Sequence, residues 1–371
     1  MGWMDLPVEL LELIFQRLCL DDAMNCRAAC RSWRKAVDAI FSSQLPLMLS
    51  LSKRCENNYG SLSAPWSNHD STVLTQTWPQ GIKAEDVDRV HSVQGWLMFN
   101  IFHYVSDKDQ TFSELSFFNP FSRARFKLPK LFLFSGKPSY YQVRVAFNSA
   151  PPGSEEFVVA FLSAEIFYDI EVHGDNKLYG LTVKHNTSVV FVFTLDNYRD
   201  DHVVERLVML NTIEGIVPGT FVVDFELFKR SHQMVMDTST GELLLVRHLG
   251  SRCFYDLSVR TKGFSVFKLD RSNLKWCEIF DIGDRFLFWD FTKVSLVSAK
   301  GLRLAEEFKR GNCIFFCHVN TRCQQPPYRF SDGFKEHDMG VFFLADRTIS
   351  HFPISSSLSI SRRNMWFSPA P

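Results

Sequence analysis

The sequence has no excess of either charge: 41 Lys and Arg stand against 41 Asp and Glu. A net charge of zero gives no molecule-wide field to hold nucleic acid or an anionic membrane surface, so neither is an expected partner. No run of 18 uninterrupted apolar residues occurs, so no spanning helix is expected. Met1-Gly2-Trp3-Met4-Asp5 lacks the basic region and following apolar stretch of a secretory leader. The nine cysteines are odd in number and irregularly spaced. These absences together predict reduced thiols and a cytoplasmic or nuclear location, or both. In a reducing compartment the Asn186-Thr187-Ser188 glycosylation sequon has no meaning.

Catalytic signatures are missing too. There is no glycine-rich phosphate loop, no Gly-x-Ser-x-Gly elbow and no His-Glu-x-x-His. Cys313, Cys317, His318 and Cys323 form the one local cluster of metal-ligand residue types, but without the paired Cys-x2-Cys spacing of zinc knots. Cys313 and Cys317, four apart on a predicted strand, share one face and read as packing thiols. Cys26 and Cys30 lack the Cys-x-x-Cys redox spacing. Glu155-Glu156 and Glu306-Glu307 are adjacent, and adjacent strand residues point to opposite faces, so neither is an acid/base pair. Trp3, Trp66, Trp78, Trp96, Trp276, Trp289 and Trp366 read as packing residues before ligand contacts. No catalytic residue, cofactor or metal is expected.

What is present begins with a short helical unit. Hydrophobic residues make up 46% of the chain, enough for a sizeable core, and 36 Phe tilt the bulk toward β-structure. Residues 5–40 differ. Pro7 suits a first helical turn, and Leu11, Ile14, Phe15 and Leu18 recur at helical steps, with Leu10 and Leu13 widening the apolar surface. Asp21-Asp22 marks a break and a new cap. A second helix is predicted from Ala23 to about Ile40, with Met24, Ala28, Trp33, Val37 and Ile40 as its apolar set. A unit this small does not bury so much apolar surface on itself, so it either docks a partner or packs on the rest of the chain.

Leu6-Pro7-Val8-Glu9-Leu10-Leu11-Glu12-Leu13-Ile14-Phe15-Gln16-Arg17-Leu18, then Asp21-Asp22, then Ala29-Cys30-Arg31-Ser32-Trp33-Arg34, strongly resembles the F-box. The departures are Ala29, where Val is usual, and Ala23-Met24, where Leu often follows the Asp. The resemblance implies docking to the Skp1-like adaptor of cullin-based ubiquitin ligases. Carried over, Leu6, Pro7, Leu10, Ile14 and Leu18 would face the adaptor, while Cys30 and Trp33 would partly hold the helices together.

The domain boundaries read as 1–45 for this unit, 46–72 for a linker rich in Asn, Ser and Gly, and 73–371 for a recognition domain. In the last, short Val-, Phe- and Ile-rich runs alternate with turn signals such as Asn119-Pro120, Thr240-Gly241 and Asp332-Gly333, the pattern of many short strands. About three hundred such residues exceed a simple sandwich and favour a β-propeller. Gly95-Trp96-Leu97-Met98, Asn176 to Leu181, Gly241 to Leu245 and Asn312 to Phe316 repeat weakly and read as inner strands of successive blades, without a kelch or Trp-Asp signature.

Gly95-Trp96-Leu97, Phe118-Asn119-Pro120-Phe121-Ser122 through Leu128-Pro129, Asp175 to Leu181, Thr240 to Val246, Trp276-Cys277-Glu278 through Phe288, and Gly311 to Phe316 with Gly340 to Phe343 resemble the plant F-box proteins that carry the domain of unknown function 295 (DUF295), related to kelch-type F-box proteins. The fold expected is therefore mainly β: a small N-terminal helical F-box, then a β-propeller-like domain of short antiparallel strands. The function it implies is substrate recognition for an SCF-type ubiquitin ligase, non-catalytic, reaching cullin through the adaptor and holding an unknown target protein. Two other readings are a scaffold or inhibitor that binds a signalling protein without ligase assembly, and a propeller enzyme with a helical arm.

Overall fold

The computed structural model describes residues 6–15, 17–18, 20–42, 46–54, 57–63, 82, 87–93, 95–105, 108, 110–120, 122–128, 130–135, 143–147, 159–163, 169–173, 177–184, 187–194, 207–208, 232–252, 259–273, 275–290, 293–300, 302, 308, 311–318, 338–352 and 363–367. Three helices come first: α1 (Val8–Phe15), α2 (Leu20–Cys26) and α3 (Arg31–Ser42). The Pro7 carbonyl accepts the amides of Leu10 and Leu11 and so starts α1. Leu11, Phe15, Ala23, Ala36, Val37 and Ile40 are buried together as one small core.

The single second helix expected over 23–40 is two. The Ala28 and Ala29 amides turn back onto the Asn25 and Cys26 carbonyls, closing α2. Cys30 then opens α3, its carbonyl accepting the Arg34 amide at 3.0 Å. Arg27, in the turn, donates through Nε to Asp38 Oδ1 of α3 at 2.6 Å and braces the corner. Ala28 and Ala29 carry no helix-breaking signal, so the break is invisible to periodicity.

Every other element among the described residues is a strand. β1 (Leu47–Arg54) and β2 (Asn57–Ser63) form an antiparallel hairpin. The stretch 46–72 was expected to be a linker, and over these residues it is sheet instead. Residues 64–72 lie outside the described residues. β3 (Val87–Val93), β4 (Trp96–Val105), β5 (Gln110–Phe118) and β6 (Arg125–Lys127) make a meander, with β7 (Leu131–Ser135) also pairing β5. β8 (Val143–Phe147) pairs β9 (Val159–Ser163). β10 (Asp169–His173), β11 (Lys177–Lys184), β12 (Thr187–Thr194) and β13 (Leu207–Val208) form the next meander. β14 (His232–Asp237), β15 (Glu242–Arg252), β16 (Val259–Asp270) and β17 (Lys275–Ile279) form another. β18 (Arg285–Trp289), β19 (Val294–Ser298), β20 (Cys313–His318), β21 (Asp338–Phe343) and β22 (Thr348–His351) lie in the order β19-β18-β20-β21-β22, with β18 and β20 parallel. β23 (Arg363–Phe367) returns to pair β1, Leu49 opposite Met365.

The sheets follow one another around a centre. β8 touches β10, β10 touches β14, β14 touches β19, β20 touches β23, and β23 touches β3. Stacked sheets stand about 10 Å apart, so strands of different sheets approach closely only where the sheets converge. β10, β14 and β19 are thus inner strands. The four repeated segments expected there fall on β4, β11, β15 and β20, all paired on both edges; β11 and β15 lie one strand out from β10 and β14, and β20 lies two out from β19.

That placement accounts for the apolar runs. A sheet between two neighbours is buried on both faces, so its strands do not alternate with polar residues. In β20, Ile314 and Phe316 join the core shared with the β14–β17 sheet, while Cys313, Phe315 and Cys317 join the core shared with β1 and β23. In β15, Leu244 and Val246 face one neighbour and Leu243 and Leu245 the other. β1 divides likewise, Leu47 and Leu49 against β3–β5 and Met48 against β18 and β20. Phe supplies the width: Phe288 stacks on Phe315 at 4.8 Å and Trp366 meets Phe288 edge-on at 5.4 Å. Gly340 of β21 admits its partner strand, because a Cβ there would collide with the Ser350 carbonyl oxygen.

Among the described residues no helix is long and apolar enough to cross a membrane.

Candidate functional site

The helical unit sorts its apolar residues between an inside and an outside. Leu11 and Phe15, four apart, point into its core at 0% and 2% exposure. Trp33 of α3 closes that core, its ring edge-on to Phe15 at 5.3 Å. Leu6 and Leu18 are half-buried against the same cluster. Val8, Leu10, Leu13 and Ile14 are the opposite case: on an eight-residue helix they stay 43%, 47%, 57% and 40% exposed. Among the described residues only Val105 and Phe280 are further large hydrophobics exposed to this degree. Pro7 is exposed beside the α1 patch.

The seven residues singled out from the sequence therefore divide. Pro7, Leu10 and Ile14 lie on the open face. Leu6 and Leu18 straddle it and the core. Trp33 packs α3 against Phe15 of α1, whereas the contacts of Cys30 stay within the first turn of α3. Val8 and Leu13 belong to the open face and were not among the seven. The 3.6-residue period could have found Leu13, which follows Leu10 by three, but not Val8, which stands six before Ile14.

Cys30 is a helix cap. Its Sγ lies 3.1 Å from the Ser32 hydroxyl. That hydroxyl, and then the Trp33 backbone amide, hold its thiol below the usual range. Cys313 and Cys317 are the reverse: burial among aromatics pushes Cys313 up to about 12, and burial with Asp290 and Asp338 nearby pushes Cys317 higher than the ordinary thiol value. Both are buried on one face of β20, as their spacing predicts. Cys323 lies outside the described residues, as do Trp3, Trp66 and Trp78. Trp289 and Trp366 are core: Trp366 Nε1 donates to the Trp289 carbonyl at 3.0 Å, and Trp289 stacks on His248 at 4.5 Å. Burial lowers that imidazole to about 3, so it is neutral near pH 7.

The turns at one end of β14–β18 carry an ionic cluster. Arg285 of β18 donates to Asp237 of β14 at 2.5 Å and to Glu242 of β15 at 3.3 Å. Lys268 of β16 also pairs Glu242. The cluster staples two sheets, and every carboxylate in it has a cation. Arranged this way it holds neighbours together and leaves no unpaired acid or base for proton transfer.

Residues 66–343 match the family model described as the KIB1-4 β-propeller, and residues 3–42 match the model described as F-box-like. A protein of Arabidopsis thaliana named as an F-box protein, At5g66830, is 23% identical over 396 residues, covering 99% of this chain and 93% of that one. A second, At4g22660, is 27% identical over 131 residues, 35% of this chain and 31% of that one. Among solved structures, the β-propeller domain of the Trilobed protease from Pyrococcus furiosus aligns with a TM-score of 0.29 and 8% identity, over 71% of this chain and 82% of that one.

Proposed function

Because the chain belongs to the KIB1-4 β-propeller family and carries an F-box-like unit ahead of that domain, we propose that it is the substrate-recognition subunit of an SCF-type ubiquitin ligase. The α1 face docks a Skp1-like adaptor and, through it, cullin. The propeller holds the target protein. The chain itself is non-catalytic: it raises the local concentration of a target lysine near ubiquitin that other subunits carry. Its place of work is the cytoplasm, the nucleus or both. The likeness to DUF295 and kelch-type F-box proteins is part of the same reading and rests on the order of the Gly95-Trp96-Leu97, Asn119-Pro120 and Gly311-Asn312 blocks.

The observation that carries the proposal is the exposure of Val8, Leu10, Leu13 and Ile14 on one short helix. Scattered single apolar residues on a surface need no explanation, whereas a contiguous patch marks an interaction site. Each of the four keeps roughly half its surface to bury, on the order of 1 kcal/mol apiece. Removing two should therefore cost about 2 kcal/mol, or roughly thirtyfold in Kd.

The test is binding of purified full-length chain to a purified Skp1-like adaptor, wild type beside a Leu10→Asp, Leu13→Asp variant. Circular dichroism confirms that both are folded. The expected result is capture by wild type and a loss of about thirtyfold or more in the variant. A wild-type chain that does not bind the adaptor overturns the proposal.

A further inference from the structure

Outside α1, the most exposed large hydrophobic among the described residues is Phe280, at 54%. It follows β17 in the segment Glu278-Ile279-Phe280-Asp281-Ile282-Gly283-Asp284 that leads into β18. An exposed phenylalanine on a loose loop would be unremarkable, since single surface hydrophobics are normal. This segment is not loose. Ile282, two residues on, is 0% exposed and anchors it in the core between sheets. Asn312, before β20, grips both sides of that anchor: its Nδ2 donates to the Phe280 carbonyl at 3.4 Å and its Oδ1 accepts the Ile282 amide at 3.0 Å. Arg285 Nε donates to the Ile282 carbonyl at 2.6 Å, and Asp281 Oδ1 accepts the Gly283 amide at 2.7 Å. The Ala299 amide donates to the Asp284 carbonyl at 2.6 Å.

This bracing uses unusual backbone. Gly283, Gly311 and Asn312 all have positive φ, at 67°, 66° and 56°. A Cβ on Gly311 would come within 2.8 Å of the Asp284 backbone, so the two loops touch at a point only glycine allows. Asn312 adopts a conformation unfavourable to most side chains, and its own side chain ties it to Phe280 and Ile282. The aromatic ring is thus held out from a rigid base. A fixed anchor loses little conformational freedom when it binds, which is where much of the free energy of association otherwise goes.

The surroundings state what kind of surface would receive it. Glu278, Asp281 and Asp284 are exposed and the segment 278–284 contains no cation. Glu278 has Arg247 nearby, and Asp281 and Asp284 are the two exposed carboxylates that follow Phe280. We propose that Phe280, flanked by Asp281 and Asp284, is a target-docking knob of the propeller, and that its partner is a folded protein presenting an apolar socket rimmed by Lys or Arg. The socket takes the ring, and the basic rim meets the two carboxylates and fixes orientation. This inference rests on the receptor reading above.

The experiment compares full-length wild type, Phe280→Ser, an Asp281→Lys, Asp284→Lys double variant, and Val105→Ser as an exposed-apolar control. Each is expressed in cells, with adaptor capture and the set of ubiquitinated proteins measured on the same samples. In parallel, a photo-crosslinking phenylalanine analogue is placed at position 280 and the crosslinked peptides are mapped. The expected result is unchanged adaptor capture in all variants. Phe280→Ser and the charge-reversed variant lose the same ubiquitinated proteins by about tenfold or more, and Val105→Ser loses none. Crosslinks from position 280 fall on apolar residues bordered by Lys or Arg in those proteins. An unchanged ubiquitinated set in Phe280→Ser, or crosslinks confined to polar or acidic surface, overturns the knob while leaving the receptor reading intact. Absence of adaptor capture by wild type overturns the receptor reading, and the crosslink map still decides whether position 280 meets a basic-rimmed socket.

Discussion

Asp237 is the carboxylate most shaped by its surroundings. Burial alone would raise its pKa, but the Ser239 hydroxyl and amide, Arg285 and Thr240 outweigh burial and bring it from 3.8 to about 2. A carboxyl whose pKa is lower in the folded state stabilises the fold above its unfolded value and loses that contribution as pH falls through the folded one. The window is thus between about 3.8 and 2. The side chain is only 5% exposed, so solvent screens it little, and the contribution near neutral pH is on the order of 2 kcal/mol. Asp237→Asn should lower the denaturant midpoint at pH 7 and flatten the acid limb of stability between pH 4 and 2, read by denaturation at a series of pH values. The Thr240-Gly241 turn beside Asp237 was legible as a turn signal. Its cation, Arg285, lies 48 positions away, and no local pattern announces such a partner.

At the scale of the element, α1 has a buried side and an exposed one, and if the exposed side docks an adaptor as proposed, substitutions on the two should separate. Leu11→Ala removes a fully buried side chain from a core of few members and costs about 2–5 kcal/mol, enough to melt so small a unit. It should lose helical circular dichroism and adaptor capture together, whereas Leu13→Asp should lose capture and keep the helical signal. The run from Leu6 to Leu18 was readable because apolar residues stand on both the inner and the outer side of α1. The boundary of α2 and α3 was not, because the break rests on an Arg27–Asp38 contact and on a cysteine serving as cap. β1 and β2 were hidden for another reason. Asn57-Asn58-Tyr59-Gly60-Ser61 has little intrinsic strand preference, and pairing with a strand already fixed by β23 supplies what local sequence withholds. The propeller strands were recognisable as strands, but their rank outward from the centre was not, since strands such as β1, β15 and β20 are apolar on both faces.

The whole molecule is held closed where β1 meets β23. Trp366 is the rivet: it is 3% exposed, its indole donates to Trp289 and its amide donates to Asp290 Oδ2 at 3.1 Å. Trp366→Ala should destabilise the propeller by about 3–5 kcal/mol, measured by denaturant unfolding, while purified folded protein still binds the adaptor, because the helical unit keeps a core of its own. The closure also sets an order in time. Synthesis runs at roughly 5–20 residues per second, so Met365 is made tens of seconds after Leu49, the residue it must face. Through that interval the three helices are already synthesised while the strand that pairs β1 is still to come. If the helical unit docks an adaptor as proposed, a chain cut short before Met365 keeps the docking helices and lacks the strand that β1 pairs with, so it would occupy adaptor with an open ring.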